Sequence, residues 1–179
     1  HWRARRQRQM CIRDRDEGMR SLVAALGGEY AHIRAGRPTG LNPFLTETGP
    51  RGEAWLLDWT AALIERRDLL SPIQTEELKS AVRKVCAAPE ALRSFAHFET
   101  LIGDVQDRRD LAMRVAEWAP GGRYGWVFDH ADTPVVDFRR NEIFGIDMTE
   151  LLDHPTERTA VLSYICLLYT SPSPRDKRQ

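Results

Sequence analysis

The chain has 179 residues, 42% of them hydrophobic, and its 26 basic and 26 acidic side chains give a formal net charge of zero. This length suits one domain of ordinary size, and no apolar run approaches the roughly 20 residues that a membrane-spanning helix needs. Three irregularly spaced cysteines exclude a disulfide framework and a zinc motif of standard spacing.

Both ends of the chain resemble translated sequencing adapter. Residues 10–15, Met-Cys-Ile-Arg-Asp-Arg, read back as the end of a transposase-based library adapter, and residues 166–171, Cys-Leu-Leu-Tyr-Thr-Ser, read back as its reverse complement. We therefore expect residues 1–15 and 166–179 to be adapter-derived and set them aside. The alternative is a basic N-terminal arm and a Ser/Pro-rich tail.

Setting the two ends aside changes the charge of the chain. They hold nine of the 26 basic and two of the 26 acidic residues, which leaves 17 basic and 24 acidic residues and a net charge of −7. Such a core does not resemble a domain that binds phosphate backbones, so we expect no direct nucleic-acid binding. Only Cys86 remains of the cysteines, which suits a reducing compartment.

The first part of the core predicts a helix, a strand and a turn. Apolar residues recur at helical spacing from Met19 to Leu26, and Gly27-Gly28 supplies a stop. Tyr30 to Arg34 alternates like a half-buried strand, and Arg37 to Gly40 has the composition of a turn. Leu41 to Phe44 is expected to be extended, because a residue before proline disfavours the helical region.

The middle of the core predicts four consecutive helices, which form a helical lobe over about residues 53–118. The first, Glu53 to Arg67, carries a broad apolar stripe. Ser71-Pro72-Ile73-Gln74 is typical of a capping box with proline at the first helical position, and it begins the second. Pro89 to Leu101 and Leu111 to Trp118 are the third and fourth.

The last part of the core predicts strands followed by helix. Three short apolar runs are candidate strands: Tyr124 to Phe128, Val135 to Phe138 and Ile143 to Met148. Thr149 or Asp153 is expected to cap the helices that follow. This succession predicts an α/β fold.

Several polar side chains are candidates for chemistry. Residues of the types that bind metals lie in the last part of the core, but their spacing matches no standard ligand pattern, and a polar hairpin loop is the alternative. These residues are Asp129, His130, Asp132, Asp137, Asp153 and His154. Asp147 and Thr149 end a predicted buried strand, where ligands of open α/β sheets collect. They would approach a nucleotide or a subunit interface, or they would only cap and turn the chain.

Two further sets of residues have a functional and a structural interpretation. Three arginines would act as arginine fingers toward a neighbouring nucleotide, or are solvated surface groups: Arg139, Arg140 and Arg158. Four tryptophans would stack on bases, or anchor the core and its partners: Trp55, Trp59, Trp118 and Trp126.

The motifs of a complete active site are missing from the sequence. It contains no Gly-Lys-Ser or Gly-Lys-Thr and therefore no phosphate-binding loop. The core also has no apolar strand ending in Asp-Glu and no recognisable nucleophile–base arrangement. We therefore assign no catalytic, cofactor-binding or metal residue.

Two blocks of the core resemble the VirB/TrbE/CagE family, the large ATPases of type IV secretion and conjugation systems. The blocks are Leu26 to Phe44 and Phe144 to Leu162, which stand in the family's order with a helical segment of similar length between them. Asp16-Glu17-Gly18 matches an Asp-x-Gly-like element that, in the family, closes the strand after the phosphate-loop helix. The resemblance covers most of residues 16–165.

The resemblance implies that residues 16–165 are a fragment of a RecA-like P-loop motor domain with an inserted helical lobe. The parent would couple ATP hydrolysis to pilus assembly and substrate export, with ATP and Mg²⁺ as cofactors. The fragment would lie between the two Walker motifs, bind no cofactor and be inactive alone. Implied partners are other secretion-system subunits and further copies, as a hexamer associated with the cytoplasmic side of the bacterial inner membrane.

Two other functions remain open at this point. One is a non-catalytic interaction module whose helical lobe docks partner proteins through tryptophan and leucine faces. The other is a fragment of a DNA-translocating coupling ATPase, which would need a basic central surface, and the net charge of −7 speaks mildly against it.

Overall fold

The computed structural model describes residues 10–45, 49–65, 68–103, 110–128 and 143–170. In chain order its main elements are β1 Met10–Asp14, α1 Arg20–Ala25, β2 Glu29–His32, α2 Pro50–Ile64, α3 Pro72–Ala87, α4 Phe95–Thr100, α5 Asp110–Ala116, β3 Ile143–Asp147 and α6 Pro155–Thr170. Short 3₁₀ helices are Pro43–Leu45, Glu90–Leu92, Gly125–Val127 and Thr149–Leu151. Within these ranges, no helix has both the length and the apolar character needed to span a membrane.

The three strands form one parallel sheet in the order β1-β3-β2. The central strand β3 carries Phe144 and Ile146, both buried, as expected for a strand paired on both sides. Parallel strands need crossover connections, and these are supplied by α1 between the edge strands and by the helical block before β3. The predicted α/β fold is confirmed at this level.

The two faces of the sheet pack against different partners. Side chains alternate along a strand, so Phe144 and Ile146 point to one face, where they join the main hydrophobic core with Ala31. Gly145 belongs to the opposite face, where Val23 of α1 and the ring of Tyr30 come close to it. The sheet therefore lies between α1 and the main core.

The main core is built around aromatic side chains from the helical lobe, from the segments on either side of it and from α6. Ring centroids are 4.8 Å apart for Trp118 and Tyr124 and 5.1 Å apart for Trp59 and Phe128, separations at which aromatic pairs attract beyond their buried area. Among the described residues, the aromatic members in ring contact include Phe44, Trp59, Phe95, Phe98, Trp118, Tyr124, Phe128 and Tyr164. The same core includes Phe144 and Ile146 of β3, so the helical lobe and α6 pack together with the sheet.

Strand β1 lies in the segment that the sequence analysis set aside. Met10–Asp14 pairs with β3 along its whole length, so these residues take part in the fold. Helix α6 likewise continues to Thr170, beyond residue 165. The adapter origin of residues 1–15 and 166–179 is a statement about the DNA that encodes them. Their place in the fold does not test it, and it stays a prediction.

Several predicted helices are confirmed, with shifted boundaries. Helix α1 ends where Gly27, at φ +72°, turns the chain, as a glycine at a helix C-terminus commonly does. The predicted first helix of the lobe begins at Pro50 and ends at Ile64. The capping box is present: Ser71 Oγ accepts from the backbone N–H of Gln74, and Gln74 Oε1 accepts from the N–H of Ser71.

One predicted extended segment is wrong, and a second, Leu41 to Phe44, is wrong from Pro43 onward. Tyr124 to Phe128 contains a 3₁₀ helix instead of a strand: the Val127 N–H donates to the Tyr124 carbonyl, and the carbonyls of Trp126 and Val127 accept from the N–H and hydroxyl of Thr39. Pro43–Leu45 is also a 3₁₀ helix, where the Asn42 side chain accepts from the Phe44 N–H. Val135 to Phe138 lies outside the described residues.

Candidate functional site

The carboxyl ends of the three strands bring together side chains that are distant in sequence. In the register of the sheet, Asp147 of β3 stands between Asp14 of β1 and His32 of β2. These positions share the sheet face of Gly145, because side chains alternate along each strand. A row of two carboxylates and an imidazole therefore crosses this edge, the edge at which open α/β sheets bind ligands.

Asp147 is buried and its carboxylate is fixed by the residue that follows the strand. Its Oδ1 accepts from the backbone N–H of Thr149 at 2.8 Å and from the Thr149 hydroxyl at 2.6 Å. The hydroxyl oxygen in turn accepts from the N–H of Asp16 at 2.8 Å. Thr149 thus ties the turn after β1 to the end of β3, which is the turning role expected of it. It does not cap a helix: the 3₁₀ helix that begins at Thr149 has Met148 at its N-cap position and no side-chain cap bond.

His32 lies between two carboxylates. Its Nδ1 is 3.3 Å from Oδ2 of Asp147, and its Nε2 is 3.8 Å from Oε1 of Glu17. The other oxygen of Glu17 accepts from Arg20 at 2.8 Å. His32 and Glu17 were not predicted as site residues. His32 lies inside the predicted strand Tyr30 to Arg34, and the observed strand β2 ends at His32; Glu17 had a signal only as part of Asp16-Glu17-Gly18.

Asp14 is held by three hydrogen bonds. Its Oδ2 accepts from the Tyr30 hydroxyl at 2.5 Å and from the Met19 N–H at 2.6 Å, and its Oδ1 accepts from the Arg15 N–H at 2.7 Å. Burial raises the pKa of Asp14, but these bonds lower it by more, so the pKa lies below its ordinary value. The carboxylate is therefore kept ionised, and its hydrogen bonds to the backbone hold the turn after β1.

The ring of Tyr30 reaches Asp14 by crossing the central strand at Gly145. A Cβ atom on Gly145 would lie only 2.6 Å from Cδ2 of Tyr30, so only glycine leaves room for the ring. Burial raises the pKa of Tyr30 above its ordinary value, as do the hydrogen bond and charge of Asp14. Tyr30 is therefore a neutral donor that connects the two edge strands.

The turn after β1 has an unusual backbone. Asp16 and Glu17 both have φ of 57°, a left-handed conformation that costs free energy for residues other than glycine. The Thr149 hydroxyl that accepts from the Asp16 N–H is one contact that holds it. This conformation places the Glu17 carboxylate beside His32.

The remaining predicted site residues lie elsewhere. Arg158 donates from Nη1 to the carbonyl of Leu152 at 2.9 Å, a local contact near the start of α6, and His154 Nδ1 is 3.6 Å from Glu157. The others lie outside the described residues: Asp129, His130, Asp132, Asp137, Arg139 and Arg140. Asp153 was predicted as a helix cap, but α6 begins at Pro155, so the residue directly before the helix is His154.

The tryptophans support the core interpretation. Trp118 and Trp59 are buried, and the indole N–H of Trp59 donates to the Ser163 hydroxyl of α6 at 2.8 Å. Trp55 and Trp126 are partly buried against the same core. Trp55 also stacks on Trp59, with ring centroids 5.4 Å apart.

The edge of the sheet opens into a polar cleft. Its lining includes the carboxylates of Asp16, Glu17, Asp147 and Glu150 and the guanidinium groups of Arg20, Arg34 and Arg37. By themselves these residues do not fit a nucleoside triphosphate with Mg²⁺. The cleft has four carboxylates against three guanidinium groups, and the sequence offers no phosphate-binding loop.

A parallel sheet with helices on both faces and a polar cleft at its carboxyl edge belongs to the class of open α/β proteins. No family model matches the chain. The type IV secretion system protein PtlC of Bordetella pertussis is 33% identical over 160 residues, which cover 85% of the chain and 19% of that protein. For the virB4 protein of Brucella abortus the identity is 30% over 164 residues, 85% of the chain and 20% of the relative. For virB4 of Bartonella quintana it is 28% over 159 residues, 87% of the chain and 20% of the relative.

The chain is thus homologous, over most of its length, to a segment of the VirB4 family of type IV secretion proteins. This confirms the resemblance predicted from Leu26 to Phe44 and Phe144 to Leu162. The chain spans about a fifth of the length of these relatives.

Proposed function

We propose that this chain is an internal piece of the motor domain of a type IV secretion ATPase, which couples ATP hydrolysis to pilus assembly and substrate export. The observation that carries the proposal is the identity of 33% to a type IV secretion protein over 85% of the chain. The parallel sheet with a polar cleft at its carboxyl edge supports it, because P-loop motors bind nucleotide at that edge.

In this proposal β2 and β3 belong to a larger RecA-like sheet, and α2 to α5 form the inserted helical lobe. The phosphate-binding loop and the strand that positions Mg²⁺ come from the rest of the parent protein, so the chain alone hydrolyses no ATP. The parent binds ATP and Mg²⁺ and works as a hexamer with other secretion-system subunits at the cytoplasmic side of the inner membrane.

The described residues would shape the cleft next to the nucleotide. The Asp147–Thr149–Asp16 contacts hold the turn before α1 against the end of β3. These groups position backbone at the carboxyl edge without contributing a nucleophile or a general base. Their expected contribution is therefore the geometry of the cleft.

A chimera tests the proposal. Residues 16–165 replace the matching segment of the Brucella abortus virB4 protein, and ATP hydrolysis and secretion are measured. We expect both to be retained at a level within about tenfold of the parent. The control is the same chimera with its phosphate-loop lysine replaced by alanine, which should hydrolyse no ATP.

Two outcomes contradict the proposal. One is a folded chimera whose ATP hydrolysis does not exceed that of its phosphate-loop variant. The non-catalytic interaction module would then take its place, which the highly exposed side chains of Leu69, Ile73 and Met113 on the helical lobe favour. The other is ATP hydrolysis by the isolated chain, which would mean that it holds an active site of its own.

A further inference from the structure

We propose that Glu17, His32 and Asp147 form a binding site for a divalent transition-metal cation of the zinc type. Each residue offers one ligand atom, and these atoms lie within 4.8 Å of one another. They come from three different parts of the chain, namely the turn after β1 and the ends of β2 and β3. The site is separate from the nucleotide chemistry proposed above, and either proposal can fail without the other.

The ligand atoms can reach one such ion if one side chain moves. Two ligands of a tetrahedral zinc ion lie roughly 3.4 Å apart when each bond is about 2.0–2.1 Å. One atom each from Glu17, His32 and Asp147 lie within 4.8 Å of one another, and His32 Nδ1 is 3.3 Å from Asp147 Oδ2. Oε1 of Glu17 is 3.8 Å from the other ring nitrogen, Nε2, so the exposed Glu17 side chain must move for both carboxylates to share an ion with one nitrogen of His32.

The carboxylates are oriented before any ion binds. Both hydrogen bonds from Thr149 go to Oδ1 of Asp147, which directs Oδ2 toward His32. The Arg20 guanidinium donates to Oε2 of Glu17, so the other oxygen, Oε1, faces His32. Such supporting contacts orient metal ligands and raise metal affinity.

The type of ion follows from the donor set. An imidazole and two carboxylates suit zinc and its neighbours, whereas Mg²⁺ prefers six oxygen ligands in octahedral geometry. His32 is about one-third exposed and Glu17 is nearly half exposed, so water in the cleft completes the coordination. Asp147, the most buried ligand, anchors the site.

The test is a Zn²⁺ titration of the full 179-residue chain by isothermal calorimetry. Cys166 is replaced by serine throughout, because it is an exposed free thiol. We expect one high-affinity Zn²⁺ that a large excess of Mg²⁺ does not displace. His32→Gln should weaken its affinity about 10- to 100-fold. His154→Gln is the matched control, since His154 is also partly exposed and faces the carboxylate of Glu157, and it should leave the affinity unchanged.

A second variant keeps the test decisive if His32→Gln fails to fold, as judged by the circular dichroism of the metal-free protein. Glu17→Gln removes a ligand at an exposed turn and should also lower Zn²⁺ affinity by at least tenfold. The proposal is overturned if the folded ligand variants bind Zn²⁺ as tightly as the parent chain. Equal weakening by His154→Gln, or displacement of the ion by Mg²⁺, would overturn it too.

Discussion

At the scale of single residues, Gly145 decides how the edge of the sheet is organised. Because it has no side chain, the ring of Tyr30 lies across the central strand and its hydroxyl donates to Asp14 on the far strand. Asp14 in turn accepts from the N–H of Met19 and fixes the turn that leads into α1. One missing side chain thus allows a contact between two strands that are not neighbours.

Gly145→Ala should destabilise the protein by about 1–3 kcal/mol, the usual cost of overpacking a well-filled site. The added Cβ would lie 2.6 Å from Tyr30 and 2.9 Å from Val23, so the ring must move away from Asp14. Urea unfolding followed by circular dichroism measures the change. Gly18→Ala is the control, because its Cβ would meet only atoms at 3.7 Å, and a change within about 0.5 kcal/mol is expected. Equal effects of the two substitutions would contradict the argument.

Tyr30→Phe should reduce the acid sensitivity of the fold. The pKa of Asp14 lies below its ordinary value of 3.8 in the folded protein. Its ionised form therefore adds stability above that value, and the contribution is lost as the pH falls through the lower folded-state pKa. Without the Tyr30 hydroxyl, the variant should be less stable at neutral pH and lose less stability on acidification below about pH 4. Thermal unfolding at a series of pH values measures this, and parallel profiles for the two proteins would refute it.

At the scale of elements, helix α3 shows how a local signal in the sequence becomes a tertiary contact. Ser71 and Gln74 form the reciprocal capping box that satisfies two free backbone donors. The side chain of Gln74 also donates to Asp110 of α5 at 3.2 Å. The residue that closes the cap therefore also joins two helices of the lobe.

Ser71→Ala should cost about 1 kcal/mol, because it leaves the Gln74 N–H without its side-chain acceptor. Ser71→Thr keeps a hydroxyl at the same place and should restore most of the loss. Differential scanning calorimetry of the three proteins separates these outcomes. A threonine variant as unstable as the alanine variant would show that the cap is not what Ser71 contributes.

At the scale of the whole molecule, the sheet depends on β1. Strand β3 pairs with β1 on one side and β2 on the other. Removing β1 therefore makes the apolar strand β3 an open edge of the sheet. Open edges of this kind pair with other chains and aggregate. The segment attributed to adapter thus occupies the place of a strand in the described fold, whatever the origin of its DNA.

Deleting residues 1–15 should therefore lower the stability of the chain and promote its aggregation. Deleting residues 1–9 leaves β1 intact and is the control. Size-exclusion chromatography with light scattering and urea unfolding compare the two proteins. We expect the shorter deletion to behave like the full chain, and the longer one to form oligomers or to unfold without a single sharp transition. A monomeric, equally stable chain beginning at Asp16 would show that β1 contributes nothing.

Local elements were predicted well where the signal lies within a few residues. The end of α1 at glycine, the capping box of α3 and the apolar strand β3 each depend on residues within the element itself or directly beside it. The prediction failed at Tyr124 to Phe128, where an apolar run suggested a strand. Its carbonyls accept from Thr39, which is 88 residues away from Val127 in sequence, and no local pattern contains that information.

The sequence by itself determined the net charge of −7 over residues 16–165, the helices of the lobe, the missing phosphate loop and the family resemblance, because each follows from composition, periodicity or short motifs. Only the tertiary structure decided that Glu17, His32 and Asp147 meet, and that β1 belongs to the sheet. The physical reason is strand register: parallel pairing aligns the carboxyl ends of strands that are far apart in the chain. The Asp16–Thr149 hydrogen bond, for example, joins residues separated by 133 positions.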